Sequence, residues 1–346
     1  MITSDYIIVG SGLAGVLFAE VLTQYNKDFI IIDDASQRAS IVAGGLYNPV
    51  VLKRFTEVWK AKKQLEVAIP FYKYLEKKLQ IKLDYKIPVK RLFNSNKEQN
   101  NWFIASDKPS LSGFLANQIV PNNNPHIKAK FGFGEVLQTG RIDTSLLINR
   151  YKEDLQKQNK LFNESFDYNQ LVLSNHISYK NIKANKIVFA EGYGLKQNPF
   201  FNDLPLHGTK GELLTIYAPQ LHLDFILKSS IFLIPLGNHL YRVGSTYEWE
   251  DKSNEITRKG KDELIHKLKK FLTCDFNIVN QVAGIRPTVT DRRPLAGVHS
   301  NYKNMYVLNG LGTRGVMIAP YVAQQLFYFI ENKKHLDKEI NINRFY

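Results

Sequence analysis

Three glycines and one carboxylate near the N-terminus carry the clearest chemical signal. Gly10, Gly12 and Gly15 stand in the run GSGLAG, and Asp33 lies 18 residues beyond the last of them. Each has a task in holding a dinucleotide: Gly10 permits a tight turn, Gly12 lets backbone amides approach a pyrophosphate, and Gly15 lets a helix pack close to a sheet. Asp33 can accept hydrogen bonds from ribose hydroxyls, and the helix after the turn offers free N–H groups to phosphate. A plain turn would need the glycines but not the acid at that distance. A second cluster, Gly310, Gly312 and Gly315 in NGLGTRGV, again opens a helix; a simple tight turn is the competing reading. The eight histidines show no metal-ligand spacing, and no Ser/His/Asp arrangement can be inferred. Cys274, the single cysteine, can form neither an internal disulfide nor a multi-cysteine metal cluster, and it reads as a buried structural thiol.

These residues need elements to position them. The run YIIV precedes the first glycines, VLFAEVLTQY follows with helical spacing, and FIIID ends at Asp33, so strand, turn, helix and strand form a parallel βαβ unit. The segment FTEVWKAKKQLEVAIPFYKYLEKKL has helical spacing, and YKIPVKRLF reads as a strand. An asparagine-rich stretch through Asn124 reads as loops with one short helix. RIDTSLLINRYKEDLQKQN is a helix with Asp143 or Thr144 as N-cap. From Glu212 to Tyr247 alternating runs predict an antiparallel sheet with turns at Pro235 to Asn238, followed by a lysine-rich helix from about Thr257 to Leu272. The strand, glycine turn and helix of MYVLNGLGTRGVMIAPYVAQQLFYFI close the chain.

A length of 346 residues allows two domains or one large one, and 44% hydrophobic with 23% charged residues exclude a small disulfide scaffold and a disordered chain. No segment has the apolar length of a membrane span. The apolar N-terminus reads as a strand and helix rather than a signal peptide, because Asp5 precedes it and no basic stretch does. A cytoplasmic protein is expected. The net charge of +14 raises a nucleic acid or an anionic substrate as partner, and the surplus is concentrated between Lys53 and Lys97, with 13 basic against 4 acidic residues.

Seven islands in order along the chain resemble the D-amino acid oxidase superfamily of FAD-dependent enzymes, which includes glycine oxidase and sarcosine oxidase. They are YIIVGSGLAG with IIIDD, ASIVAGGLYNP, KIVFAEGYG, HGTKGELL, YRVGSTYEW, AGIRPTVTDRRPLAG and YVLNGLGTRGVMIAP. The resemblance implies an α/β fold: a Rossmann-like FAD-binding domain of the glutathione-reductase type with an inserted antiparallel-sheet α+β substrate domain. The FAD domain is expected at 1–75, 140–205 and 285–346, and the substrate domain at 76–139 and 206–284. Noncovalent FAD would lie along Gly10, Gly12, Leu13, Ala14 and Gly15, with Asp33 and Asp34 at its ribose. Ser40, Gly44, Gly45 and Leu46 fall where the family runs backbone beside pyrophosphate and flavin, together with Gly192. Gly310, Gly312, Thr313, Gly315 and Val316 match the loop facing the flavin pyrimidine edge, where a helix N-terminus stabilises the charge of reduced flavin.

The same resemblance implies that Arg286, in GIRP, grips a substrate carboxylate through its planar fork; a surface arginine is the bland alternative. Arg314 matches a second position near flavin and substrate. Either Tyr241 or Tyr247 would offer a hydroxyl to the substrate, the alternative being that both are sheet aromatics. Sarcosine oxidases attach flavin to a cysteine, but Cys274 is in no matching motif. Glu191 stands where relatives more often have a small or uncharged residue, as a ribose contact, a loop contact or a helix-capping acid. The implied activity is oxidation of a C–N bond in an amino acid or N-substituted glycine by hydride transfer to flavin N5, with oxygen or another acceptor taking the electrons. A second form of the chemistry acts on the carboxymethylaminomethyl side chain of wobble uridine in tRNA, with Lys53 to Lys97 and Trp59, Phe71, Tyr72 and Tyr74 as RNA contacts. A non-enzymatic flavin-binding interaction module is the remaining alternative.

Overall fold

The structure is a computed structural model describing residues 1–346. Its first sheet is built from short, strongly apolar strands. Ile2–Val9 and Phe29–Ile32 lie parallel, with Tyr6 opposite Phe29 and Val9 opposite Ile32. Ile182–Phe189 pairs parallel on the other side of Ile2–Val9, and Met305–Asn309 parallel beyond it. Leu161–Phe162 extends the opposite edge, also parallel. Parallel strands are covered on both faces, which is why these segments are apolar without alternation. On one face helices Leu13–Gln24 and Gly315–Asn332 pack together, and helix Ala61–Leu79 packs on the second of them. On the other, Phe189, Phe201 and Leu204 belong to a separate buried core.

The second sheet is the antiparallel one expected from the alternating runs, extended to eight strands, as many as the first sheet has. Its order is Asn277–Val289, Leu206–Tyr217, Leu240–Gly244, Phe232–Gly237, Ile226–Lys228, Val89–Leu92, Phe133–Val136 and Leu115–Val120. One pair, Ile226–Lys228 with Val89–Leu92, is parallel, and it joins the two chain segments that make up the sheet. The turn expected at Pro235 to Asn238 is displaced: the strand continues through Gly237, and Asn238 and His239 form the turn with φ of 50° and 60°. Two left-handed residues match the twist of a hairpin, and asparagine is among the residues that tolerate them. The lysine-rich helix, Arg258–Lys269, is shorter than expected and covers the outer face with Leu264 and Leu268.

Caps show how local sequence sets the boundaries. Asp143, rather than Thr144, caps helix Thr144–Lys157, its carboxylate accepting from Leu146 N at 3.1 Å. Thr257 caps Arg258–Lys269, accepting from Gly260 N at 2.9 Å while donating to Glu212 Oε1 at 2.6 Å. Two expected domain boundaries fall inside continuous elements: 75/76 lies within helix Ala61–Leu79, and 284/285 within strand Asn277–Val289. That long strand, which carries Gly284 and Arg286, packs against helix Ala39–Val42 and the turns Gly192–Gln197 and Gly312–Arg314 of the first sheet's layer, so the site lies along a shared wall.

Candidate active site

A cavity of about 460 Å³ runs from the C-terminal ends of the parallel strands to the inner face of the second sheet. Open parallel sheets bind ligands at that end. Gly10, Gly12, Leu13 and Ala14 line the start of the cavity. Gly10 has φ +100°, and a Cβ there would come within 2.6 Å of Ala190 O. Gly15 does not line the cavity; a Cβ on it would meet Gly10 O at 1.9 Å, so its role is the close seating of the helix against the turn. Ser40 Oγ accepts from Leu13 N at 2.9 Å, tying the segment around Gly44 and Gly45 to the first helix.

Asp33 lines the cavity but is already engaged. It accepts from Ser11 Oγ at 2.6 Å and from Lys152 Nζ at 2.7 Å, so a ribose would share this carboxylate with both. Asp34 accepts from Ser36 N at 2.9 Å and Ser165 Oγ at 2.7 Å; burial works to raise its pKa, but these hydrogen bonds hold the carboxyl below its usual range. Beside them Glu191 accepts from the Tyr168 hydroxyl and, at 2.8 Å, from Asn198 Nδ2. Burial nevertheless pushes its carboxyl up to about 7. Glu191 is thus the hub of a hydrogen-bonded loop rather than a helix-capping acid. Asn309 Nδ2 donates to Gly192 O at 3.0 Å, joining this loop to the last parallel strand.

The middle of the cavity is walled by Gly44, Gly45 and Leu46 on one side and by Leu311 to Val316 on the other. A Cβ on Gly44 would press Phe232 Cζ at 3.1 Å. Gly310 is not in the wall; it takes φ +70° behind it, and a Cβ would strike Val289 Cγ2 at 2.4 Å. Arg314 donates to Asn48 O at 3.0 Å, and burial lowers its pKa to about 10, with Tyr247 opposing.

At the far end Arg286 projects from strand Asn277–Val289, opposite Thr209. Its Nη2 donates to Ser245 Oγ at 2.6 Å, the guanidinium lies 4.8 Å from the Tyr247 ring centroid, and no carboxylate pairs with it. Burial lowers its pKa below the ordinary arginine value, so an anion brought to this place would be favoured. Gly211 makes the room: a Cβ there would lie 1.8 Å from Arg286 Nη2. Tyr247 lines the cavity, whereas Tyr241 does not. Tyr241 is buried on the outer face of its strand, and its hydroxyl accepts from Leu223 N at 3.3 Å, so the sheet's alternation excludes it from the site. Cys274 is buried in the same outer core, away from the cavity.

Several lining residues have no signature in the sequence. Lys152, Glu164, Tyr168 and Lys228 reach the cavity from separate elements, and only the fold brings them together. Lys228 has burial and neighbouring Arg91, Lys267 and Arg314 lowering its pKa to about 8.

The FAD dependent oxidoreductase (DAO) family matches residues 5–328. The chain belongs to this family. It is an FAD-dependent oxidoreductase of that family, and its lining fits the cofactor: bare backbone where a pyrophosphate must approach, acids at the strand ends, and a helix N-terminus midway. The chain is 21% identical over 357 residues to the tRNA 5-methylaminomethyl-2-thiouridine biosynthesis bifunctional protein MnmC of Marinobacter nauticus, covering 94% of this chain and 55% of that protein. It therefore spans about half the length of that relative. It is 26% identical over 161 residues to the glycine oxidase of Bacillus subtilis, covering 44% and 43% of the two chains. Among solved structures, glycine oxidase from Geobacillus kaustophilus superposes with a TM-score of 0.81 at 17% identity, covering 97% of this chain and 96% of that one. Iminodiacetate oxidase from Chelativorans sp. BNC1 gives 0.81 at 16% identity, covering 97% and 98%. No helix of this DAO-family chain is long and apolar enough to cross a membrane.

Proposed function

We propose that this enzyme oxidises the C–N bond of a small amino acid or N-substituted glycine. The observation that carries the proposal is Arg286: a largely buried guanidinium, held by a hydroxyl and facing the cavity with no carboxylate partner. FAD bound along the cavity supplies the hydride acceptor. The protein's part is to fix the substrate. Arg286 takes its carboxylate and so anchors the α-carbon, Tyr247 covers the guanidinium, and the walls of Phe232, Leu46 and Leu213 exclude water. The cavity presents no carboxylate at the Arg286 end to act as base, which suits a substrate that enters with its amine unprotonated.

The likeness to the tRNA-modifying relative favours a second form of the same chemistry, with the amine carried on a nucleotide. The surface lends it little. Of the aromatic residues expected to meet bases, Phe71 and Tyr72 are buried in the core and Trp59 donates to Glu339, leaving Tyr74 exposed. The lysines on that helix, Lys62, Lys63, Lys73 and Lys77, form a solvated face.

Replacing Arg286 tests the leading reading. Arg286→Ala should lower kcat/KM for carboxylate substrates by roughly 10- to 150-fold, the equivalent of about 1.5–3 kcal/mol for a lost charged hydrogen bond, with FAD content unchanged. Unaltered kcat/KM in a flavin-loaded variant would remove Arg286 from this role.

A further inference from the structure

The charges lining the cavity are sorted by sign. Asp33, Asp34, Glu164 and Glu191 cluster at the end formed by the parallel strands, and each is engaged there: Asp33 by Lys152, Asp34 by Ser165, Glu164 by Lys180 at 2.8 Å, and Glu191 by Tyr168 and Asn198. The other end holds Arg286, Arg314 and Lys228 and no acid. Arg286 and Arg314 have oxygen partners in the protein. The Lys228 ammonium has neither a carboxylate nor a hydrogen-bond partner; it stands 5.9 Å from the Phe232 ring centroid. Its neighbours are neutralised by their own acids, Arg91 by Glu98 at 2.6 Å and Lys267 by Glu263 at 2.5 Å.

A lysine in such surroundings is costly, since desolvation and like charges both act against its ammonium. A wall meant only to exclude water would be met by leucine or methionine. We infer that the substrate carries a second anionic group, and that Lys228 receives it while Arg286 holds the first. This deepens the proposed function and rests on its assignment of Arg286 to a substrate carboxylate. One carboxylate cannot serve both cations. Their strands are four positions apart in the sheet, about 19 Å at the usual 4.7–4.9 Å spacing. Both residues line the one cavity, so that, with their long side chains covering most of this separation, an amine with an acidic arm on each side would offer one carboxylate to each. The substrate class is thus an amino or imino diacid rather than glycine or sarcosine.

The test uses unreactive thioethers of matched shape, binding being followed by perturbation of the flavin absorption of the holoenzyme. Thiodiacetate carries two carboxylates and (methylthio)acetate one. The wild type should bind thiodiacetate at least about tenfold more tightly, as a charged hydrogen bond warrants. Lys228→Met should abolish that preference while leaving (methylthio)acetate within about threefold of wild type, and Lys228→Arg should retain it. A preference that survives in Lys228→Met, or equal loss of both ligands, would overturn the inference; equal loss would place Lys228 against the flavin instead. Arg286→Ala separates the two claims: weakened binding of both ligands supports the underlying assignment, and unchanged binding of both overturns it whatever Lys228 does.

Discussion

At the scale of single residues, burial decides what each charge in the cavity can do. Arg286 was legible in the sequence through its GIRP setting, but its surroundings were not: Gly211 lies on the neighbouring strand, and Ser245 and Tyr247 lie in the segment that follows strand Leu240–Gly244, so only the fold makes them neighbours. Lys228 and Lys152 were illegible for the same reason: a lysine in a lysine-rich chain has no distinguishing spacing. Tyr241 and Tyr247 could not be separated until the strand placed Tyr241 on its outer face. Glu191 supplies a prediction at this scale. Burial raises its carboxyl from the ordinary 4.5 to about 7. Between those values the folded chain keeps a proton that the unfolded chain has lost, so the stability linked to Glu191 is fully present below about pH 4.5 and falls as pH rises through about 7. Denaturant unfolding of flavin-free protein at about pH 5 and about pH 7.5 should show wild type losing more stability on the way up than Glu191→Gln. An identical loss in both would mean that Glu191 does not hold its proton.

At the scale of elements, the βαβ unit and the closing strand, turn and helix were legible because glycine spacing and apolar runs coincide there. The hairpin at Asn238 and His239 was misplaced because Pro235 is a strong turn signal, yet it sits within a strand where register irregularity accommodates it. The strand Leu206–Tyr217 deserves its own test. Gly211 packs under the Arg286 guanidinium, and the adjacent Lys210, wholly buried, donates to Asp251 at 2.5 Å and to Ser253 at 3.2 Å. That clamp holds the segment bearing Tyr247 over the arginine. Gly211→Ala would push Arg286 aside, because the side chain above it is already fixed by Ser245 and Thr246. The expected result is a KM for carboxylate substrates raised by about tenfold or more with FAD content unchanged, since a charged hydrogen bond of about 1.5–3 kcal/mol is weakened. Wild-type KM in that variant would show that the guanidinium can move without consequence.

At the scale of the whole molecule, the two sheets explain why the chain needs its length. The first sheet, parallel at its centre with antiparallel strands Leu171–Leu173, Ile177–Tyr179 and Leu295–Val298 added, gathers strands from residues 2 to 309, the antiparallel sheet gathers strands from 89 to 289, and the cavity lies between them. The order of motifs made the alternation of the two sheets legible, but not the continuity of Ala61–Leu79 and Asn277–Val289 across the expected boundaries. The basic residues behind the net charge of +14 include exposed lysines such as those along Ala61–Leu79 and four that line the cavity, Lys152, Lys228, Arg286 and Arg314. Anaerobic reduction of the bound flavin tests the central claim most directly. Holoenzyme mixed without oxygen with amino and imino diacids, N-substituted glycines, simple amino acids and undermodified tRNA should lose its oxidised-flavin absorbance with the small carboxylate amines. Bleaching by tRNA alone, or by none of these, would contradict the account.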